Sequence, residues 1–220
     1  VYAMATFLRP LSYRYQWLYD TISRVAALTV GGERRFRHLA LGGITITPET
    51  EVLDLCCGSG QTTQFLVNYS DHVTGLDASP LSIERAAQNV PAAKFVEGLA
   101  EAMPLADNSF DLVHTSVAMH EMEPDQRRHI FQEALRVLKP GGMWTMVDFH
   151  KPQNPLFWPG VAGFLWLFET HTAWQLLETD IPAELRQTGF LCGEAKLYAG
   201  GSVQVVQGKK PNQSSSVAPE

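Results

Sequence analysis

Between residues 51 and 149, short runs of apolar and β-branched residues alternate with segments whose apolar positions recur every three or four residues. The runs VLDLC (52–56), HVTGLD (72–77), KFVEG (94–98), FDLVHTS (110–116) and MWTMVDF (143–149) have strand length and composition. Residues 125–139, DQRRHIFQEALRVLK, place Ile130, Phe131, Ala134, Leu135 and Leu138 on one helical face. Pro124 opens that helix and Pro140-Gly141-Gly142 stops it. Strands alternating with helices predict an α/β fold: a doubly wound, mostly parallel, seven-stranded sheet with helices on both faces. KLYAGGSVQVVQG (196–208) is the expected closing strand, antiparallel to its neighbours.

The flanks complete a single domain over residues 1–208. Residues 10–42 are expected to form a helical N-terminal lid. Residues 153–180, rich in aromatic side chains, are expected to be an insertion on the substrate side after the fifth strand. Residues 209–220, polar and rich in Ser and Pro, are expected to be a disordered tail.

Composition narrows the chemistry. The chain has 220 residues and a net charge of −6, with no basic run, which argues against a nucleic-acid partner. Its three cysteines, two of them adjacent, lack the spacing of a zinc site or a disulfide framework, so no metal is expected and the compartment reads as reducing. The opening VYAMATFLRP lacks the apolar core of a signal peptide. PLFWPGVAGFLWLF (155–168) is shorter than the roughly 20 residues a membrane span needs. The expectation is a cytoplasmic protein, with transient contact at a membrane surface left open.

The stretch EVLDLCCGSGQTTQFL (51–66) reads as strand, tight turn and helix. In such a sheet, ligands bind beyond the carboxyl ends of the strands, and this turn lies there. Gly58 and Gly60 admit close approach of a ligand to the backbone. Thr63 stands where a dinucleotide-binding loop needs a third small residue, and the Gly-Lys-Ser/Thr of a P-loop is absent. Asp54, just before the turn, would repel a pyrophosphate but suits an ammonium group. Asp77 ends the second strand, where a carboxylate can accept from both hydroxyls of a ribose. An acid for an amine, glycines for close approach and an acid for a ribose match S-adenosylmethionine.

These residues carry a family resemblance. VLDLCCGSG (52–60), GLDAS (75–79), FDLV (110–113) and LKPGG (138–142), in order, resemble the class I S-adenosylmethionine-dependent methyltransferases, whose fold is Rossmann-like. YDTISRVAALTVGGERRF (19–36) and GSVQVVQGKK (201–210) are similar to the flanks of the ubiquinone/menaquinone C-methyltransferase group. The resemblance implies that Asp54 helps hold the amino-acid part of the cofactor, and that Cys56 to Gly60 wrap it, with Ser59 at a contact position. It further implies that Asp77 holds the ribose with Ala78 beside it, that Leu99 and Ala100 flank the adenine, and that Ser116 lies under the methionine moiety. Two residues depart from the pattern. Cys56 stands where the family has glycine, and Leu99 where it has Asp or Asn, a lost hydrogen bond worth about 1 kcal/mol.

Methyl transfer needs an acceptor atom held in line with the departing sulfur and often a base. The candidate bases are His120, after the fourth strand, His150, at the end of the fifth, and Tyr19, on the lid, whose alternative reading is a helix packed on the sheet. His114 falls inside a strand and reads as packed. Cys56 and Cys57 read as small tolerated residues, not a reactive pair. Phe157, Trp158, Phe164, Trp166, Phe168 and Trp174 form core, an apolar pocket or a membrane-facing surface. Arg34, Arg35 and Arg37 read as a solvated helix face. The expected reaction is methylation of a small hydrophobic, aromatic or quinol-type acceptor, leaving S-adenosylhomocysteine. The alternatives are a polar metabolite as acceptor, transfer to oxygen, or a non-catalytic S-adenosylmethionine-binding scaffold.

Overall fold

The computed structural model describes residues 31–212, so Tyr19 and most of the lid lie outside the described residues. The strands are β1 (Glu51–Leu55), β2 (His72–Asp77), β3 (Lys94–Glu97), β4 (Phe110–Ser116), β5 (Leu138–Phe149), β6 (Leu191–Cys192), β7 (Lys196–Tyr198) and β8 (Val203–Lys209). The helices are α1 (Glu33–Leu39), α2 (Thr63–Leu66), α3 (Pro80–Asn89), α4 (Pro124–Val137), α5 (Trp158–Phe168), α6 (His171–Leu177) and α7 (Ile181–Thr188).

The sheet runs β3-β2-β1-β4-β5-β8-β6, with β7 pairing β8 off that path, so it has eight strands where seven are expected. β1 to β5 pair in parallel, and β8 runs antiparallel to β5, β6 and β7. The extra strand arises because 196–208 is two strands, not one. Residues Ala199–Gly201 make a turn whose three residues all have positive φ, which breaks the run. β8 continues to Lys209, and Lys210 donates to Asn108 Oδ1 and the Leu138 carbonyl, so ordered chain extends past residue 208.

Burial follows from the two-sided cover. Four of the five β1 residues are buried, and alternate side chains go to opposite faces. Leu53, Leu55, Val113, Trp144 and Met146 share a core with Ile130, Phe131 and Ala134 of α4 and Ile181 and Leu185 of α7. Val52, Val73 and Leu112 pack on the other face against Leu41 and Leu66. Phe36, Leu39 and Ala40 cover Val147 and Val205 there. The helical face expected on 125–139 is the one buried, but α4 ends at Val137 and Leu138 is already strand. Pro140-Gly141-Gly142 therefore lies inside β5 rather than between elements, with Gly141 at φ 82.

Asp54 sits on the second face, under α2. This alternation is what sets the site: the residue of β1 that reaches the turn as a carboxylate is the one that α1 and α2 cover.

Candidate active site

At the carboxyl ends of β1, β2 and β4 lies a cavity of about 560 Å³, within the usual size range for small-molecule sites. Its walls include nine of the ten residues expected at the cofactor: Asp54, Cys56, Gly58, Ser59, Asp77, Ala78, Leu99, Ala100 and Ser116. Gly60 is the exception. A Cβ there would meet Val90 Cγ2 at 3.1 Å and Ala86, so this glycine lets the turn close onto α3 rather than onto a ligand.

The turn is locked by Asp77. Its Oδ2 accepts from the Gly58 amide at 2.9 Å, and its Oδ1 from the Ser79 amide at 2.9 Å. Gly58 has φ 54, and a Cβ on it would meet no heavy atom within 4 Å, so the bare backbone faces open cavity. Cys56 has φ 58. That left-handed backbone is the reason a glycine suits the position, and a side chain there costs about 1 kcal/mol. Val117, on the opposite wall, is also left-handed at φ 54, an outlier for a β-branched residue. Two strained residues facing one cavity are typical of a site held to shape by its surroundings.

The cysteines divide their tasks. Cys57 packs its Sγ where a Cβ on Gly75 of β2 would lie 2.9 Å away. Burial pushes both thiols well above their ordinary value, and the carboxylates of Asp54 and Asp77 push the same way. Neither is a thiolate nucleophile at neutral pH.

Asp54 is 1% exposed, and its Oδ2 accepts from Thr63 Oγ1 at 2.6 Å. Burial raises its pKa to about 7, against the opposing pull of Thr63 and Arg37. An incoming ammonium would stabilise the carboxylate form.

Arg37 corrects the expectation of a solvated arginine face. It is 6% exposed and lines the cavity. Its Nη1 donates to Thr62 Oγ1 at 3.2 Å and Ser116 Oγ at 3.0 Å, and its Nη2 to Gln61 Oε1 at 2.8 Å. The run ERRFR carries no signal that distinguishes Arg37 from its exposed neighbour Arg34 or Arg35. Its burial is decided by α1 docking on β5 and β8, where the Ala40 carbonyl accepts from Thr145 Oγ1 and Gln207 Nε2. Glu101, which no motif singles out, also lines the wall beside the 53% exposed Leu99, and its Oε1 accepts from Gln126 Nε2 at 3.0 Å.

The candidate bases separate cleanly. His120, 2% exposed, directs Nδ1 to Asp148 Oδ1 at 2.8 Å and Nε2 toward Glu169 Oε2 at 3.4 Å. Its backbone amide also donates to Asp148 Oδ2. Burial alone would lower its pKa, but the two carboxylates outweigh burial and hold it well above 6.5. The Phe149 ring lies 4.6 Å from the imidazole, and Phe164 lies 5.6 Å beyond Phe149. Donor atoms of His120, Glu121 and Glu169 all fall within 4.8 Å of one another, a spacing a cation could also use. Glu121 and Met122, next in sequence, line the cavity, which brings this cluster beside it.

His150 does not join them. Its Nδ1 lies 2.8 Å from the Gly201 carbonyl and its amide donates to Ser202 O, so its ring is tied to the turn before β8, away from the cavity wall. His114 is fully buried in β4, and burial, helped by Arg37, lowers its pKa to about 3. It is a packed, neutral imidazole as expected. The aromatic insertion is mixed: Leu165 is buried, while Trp158, Trp166 and Trp174 are 36–44% exposed. The side chain of Phe168 lies outside the described residues.

Open backbone at Gly58, a carboxylate buried under α2 and a second carboxylate at the end of β2 meet at one cavity beyond the carboxyl ends of the strands. Comparison with known proteins gives the family. A methyltransferase domain family matches residues 52–142. An uncharacterised methyltransferase of Synechocystis is 53% identical over 206 residues, spanning 94% of this chain and 97% of that protein. A demethylmenaquinone methyltransferase of Desulfitobacterium hafniense is 30% identical, spanning 88% of this chain and 85% of that protein. In fold, a TehB-like S-adenosylmethionine-dependent methyltransferase of Corynebacterium glutamicum superposes with TM-score 0.63 at 19% identity, covering 91% of this chain and 98% of that one. The chain belongs to the S-adenosylmethionine-dependent methyltransferase family.

Proposed function

We propose that the protein methylates a small hydrophobic aromatic acceptor of the quinol type. The observation that carries this reading is the buried His120, held between Asp148 and Glu169 and roofed by Phe149 and Phe164. The demethylmenaquinone methyltransferase relative points to the same acceptor class.

S-adenosylmethionine, when bound, supplies a methyl group on a positively charged sulfur. Asp54 would take its ammonium, Asp77 its ribose, and the open backbone at Gly58 its close approach. The remaining work falls to this chain. With His120 protonated, Asp148, His120 and Glu169 together carry one net negative charge. The group can therefore accept the proton of an acceptor hydroxyl at Glu169 and become neutral, which suits an apolar site. The electron pair released from that O–H bond flows into the aromatic ring and makes a ring carbon nucleophilic. That carbon would be the atom methylated by the bound cofactor; Glu169 would return its proton to the ring oxygen and, ionised again, take the proton from the methylated carbon, which restores the aromatic ring and passes one proton to solvent.

The test uses purified protein, methyl-tritiated S-adenosylmethionine and a lipid extract of bacterial cells. Label in a chloroform-soluble product supports the reading. Label confined to water-soluble products, or cofactor binding with no transfer, overturns it in favour of a polar acceptor or a scaffold.

A further inference from the structure

Arg37 presents a chemical imbalance. A guanidinium that is more than nine-tenths buried ordinarily meets a carboxylate, because the desolvation of a charge needs a compensating charge. Here it is held by three neutral oxygens, those of Thr62, Ser116 and Gln61. Among the described residues, its carboxylate neighbours are Glu33, at 4.0 Å and one turn back on the same helix, too long for a hydrogen bond, and Asp54, which feels its charge without a hydrogen bond to it. Its Nε has no hydrogen-bond partner among the described residues. The side chain lines the same cavity as Asp54.

We infer that Arg37 is the binding residue for the α-carboxylate of the cofactor's methionine half. Asp54 and Arg37 then present one negative and one positive group to the zwitterionic end of that ligand. The three present partners are all neutral, so they orient the guanidinium without neutralising it. Ser116 and Thr62 fix it from β4 and from the turn before α2. α1 is in turn fastened to β5 and β8 through Ala40. Cofactor binding thereby couples to the docking of α1, the one described piece of the expected lid.

The consequence is a specific ligand preference. Wild-type protein should bind S-adenosylhomocysteine about 10–100-fold more tightly than S-adenosyl-3-thiopropylamine, the same molecule without its carboxylate, as expected for loss of a charge-assisted hydrogen bond. R37Q should weaken S-adenosylhomocysteine by a similar factor while leaving the decarboxylated ligand within about twofold. R37K, a point charge without the fork, should recover part of the loss. Titration calorimetry reads all of these without turnover. Equal loss for both ligands in R37Q would make Arg37 a structural residue and overturn the inference. If R37Q does not fold, the wild-type comparison stands alone, and equal affinity for the two ligands overturns it just as firmly.

Discussion

His120 Nδ1 lies 2.8 Å from Asp148 Oδ1, joining the loop after β4 to the end of β5 across 28 residues of chain. Both side chains are buried, at 2% exposure each, and Glu169 approaches the other ring nitrogen from beyond α5. A doubly paired imidazolium at the edge of a cofactor cavity is an expensive arrangement to bury, and the proton chemistry proposed above gives it a use.

Removing the ring should separate chemistry from binding. H120Q is expected to lower single-turnover transfer by about 100-fold or more, within the range for loss of a positioned acid–base group, with S-adenosylhomocysteine affinity within about threefold of wild type. Rapid-quench kinetics and calorimetry check the two halves. Equal falls in both would mean that His120 only holds the loop. The same variant addresses the cation alternative. Transfer should be insensitive to chelators, because both ring nitrogens face carboxylates. Chelator loss restored by magnesium would reassign His120, Glu121 and Glu169 to a metal.

The same pairing predicts a pH signature. His120 has a folded-state pKa raised above the ordinary 6.5, so the protonated form is favoured by folding. Its stabilisation is fully present below about pH 6.5 and is lost as pH rises through the folded value. Melting temperatures of wild type and H120Q should therefore converge as pH is raised from 6.5 toward 10. A gap that widens with pH would contradict the assigned charge state.

Asp54 predicts the pH dependence of cofactor binding. Burial keeps its carboxyl protonated up to about pH 7, and only the carboxylate attracts an ammonium. Affinity for S-adenosylhomocysteine should rise with pH below 7, by up to about tenfold per unit, and level off above it. D54N should bind more weakly and show a flat profile over the same range. A wild-type affinity that does not change between pH 5.5 and 8 would remove Asp54 from the ammonium site.

Cys56 answers why a thiol sits in a glycine position. Its thiol is not a nucleophile, and its backbone is left-handed at φ 58. C56G relieves about 1 kcal/mol of backbone strain and adds a comparable entropy cost to the unfolded chain. Stability within about 1 kcal/mol of wild type and undiminished transfer are expected, by urea unfolding and the tritium assay. Total loss of activity would show that the thiol itself participates.

How much of this was legible in the sequence divides by the range of the interactions. The first turn, Asp77 and the alternation of strands and helices follow from local patterns, because a strand, a glycine turn and an acid at the end of the next strand lie within 27 residues of each other. The packing of Gly60 against Ala86 of α3 and Val90 just after it is not legible locally, because those residues lie 26 positions or more away. The burial of Arg37 has no local signature, because its partners at Thr62 and Ser116 are 25 and 79 residues distant. His150 stands among the candidate bases by its place at the end of β5, and alternation along that strand carries no record of the Gly201 carbonyl that captures its ring. The pairing of His120 with Asp148 is of the same kind: both residues were visible, and the contact between them was not.

The central claim is methyl transfer to a ring made nucleophilic by loss of a hydroxyl proton, and the most direct measurement compares one acceptor in two oxidation states. Purified protein with methyl-tritiated S-adenosylmethionine is given a prenylated naphthoquinone lacking the ring methyl, either as the quinone or reduced by dithionite under argon. Only the reduced form has a hydroxyl proton for Glu169 to take. Label in the organic phase with the reduced form and none with the quinone is the predicted result. Equal labelling of both forms, or transfer to neither while the cofactor binds, would contradict the account.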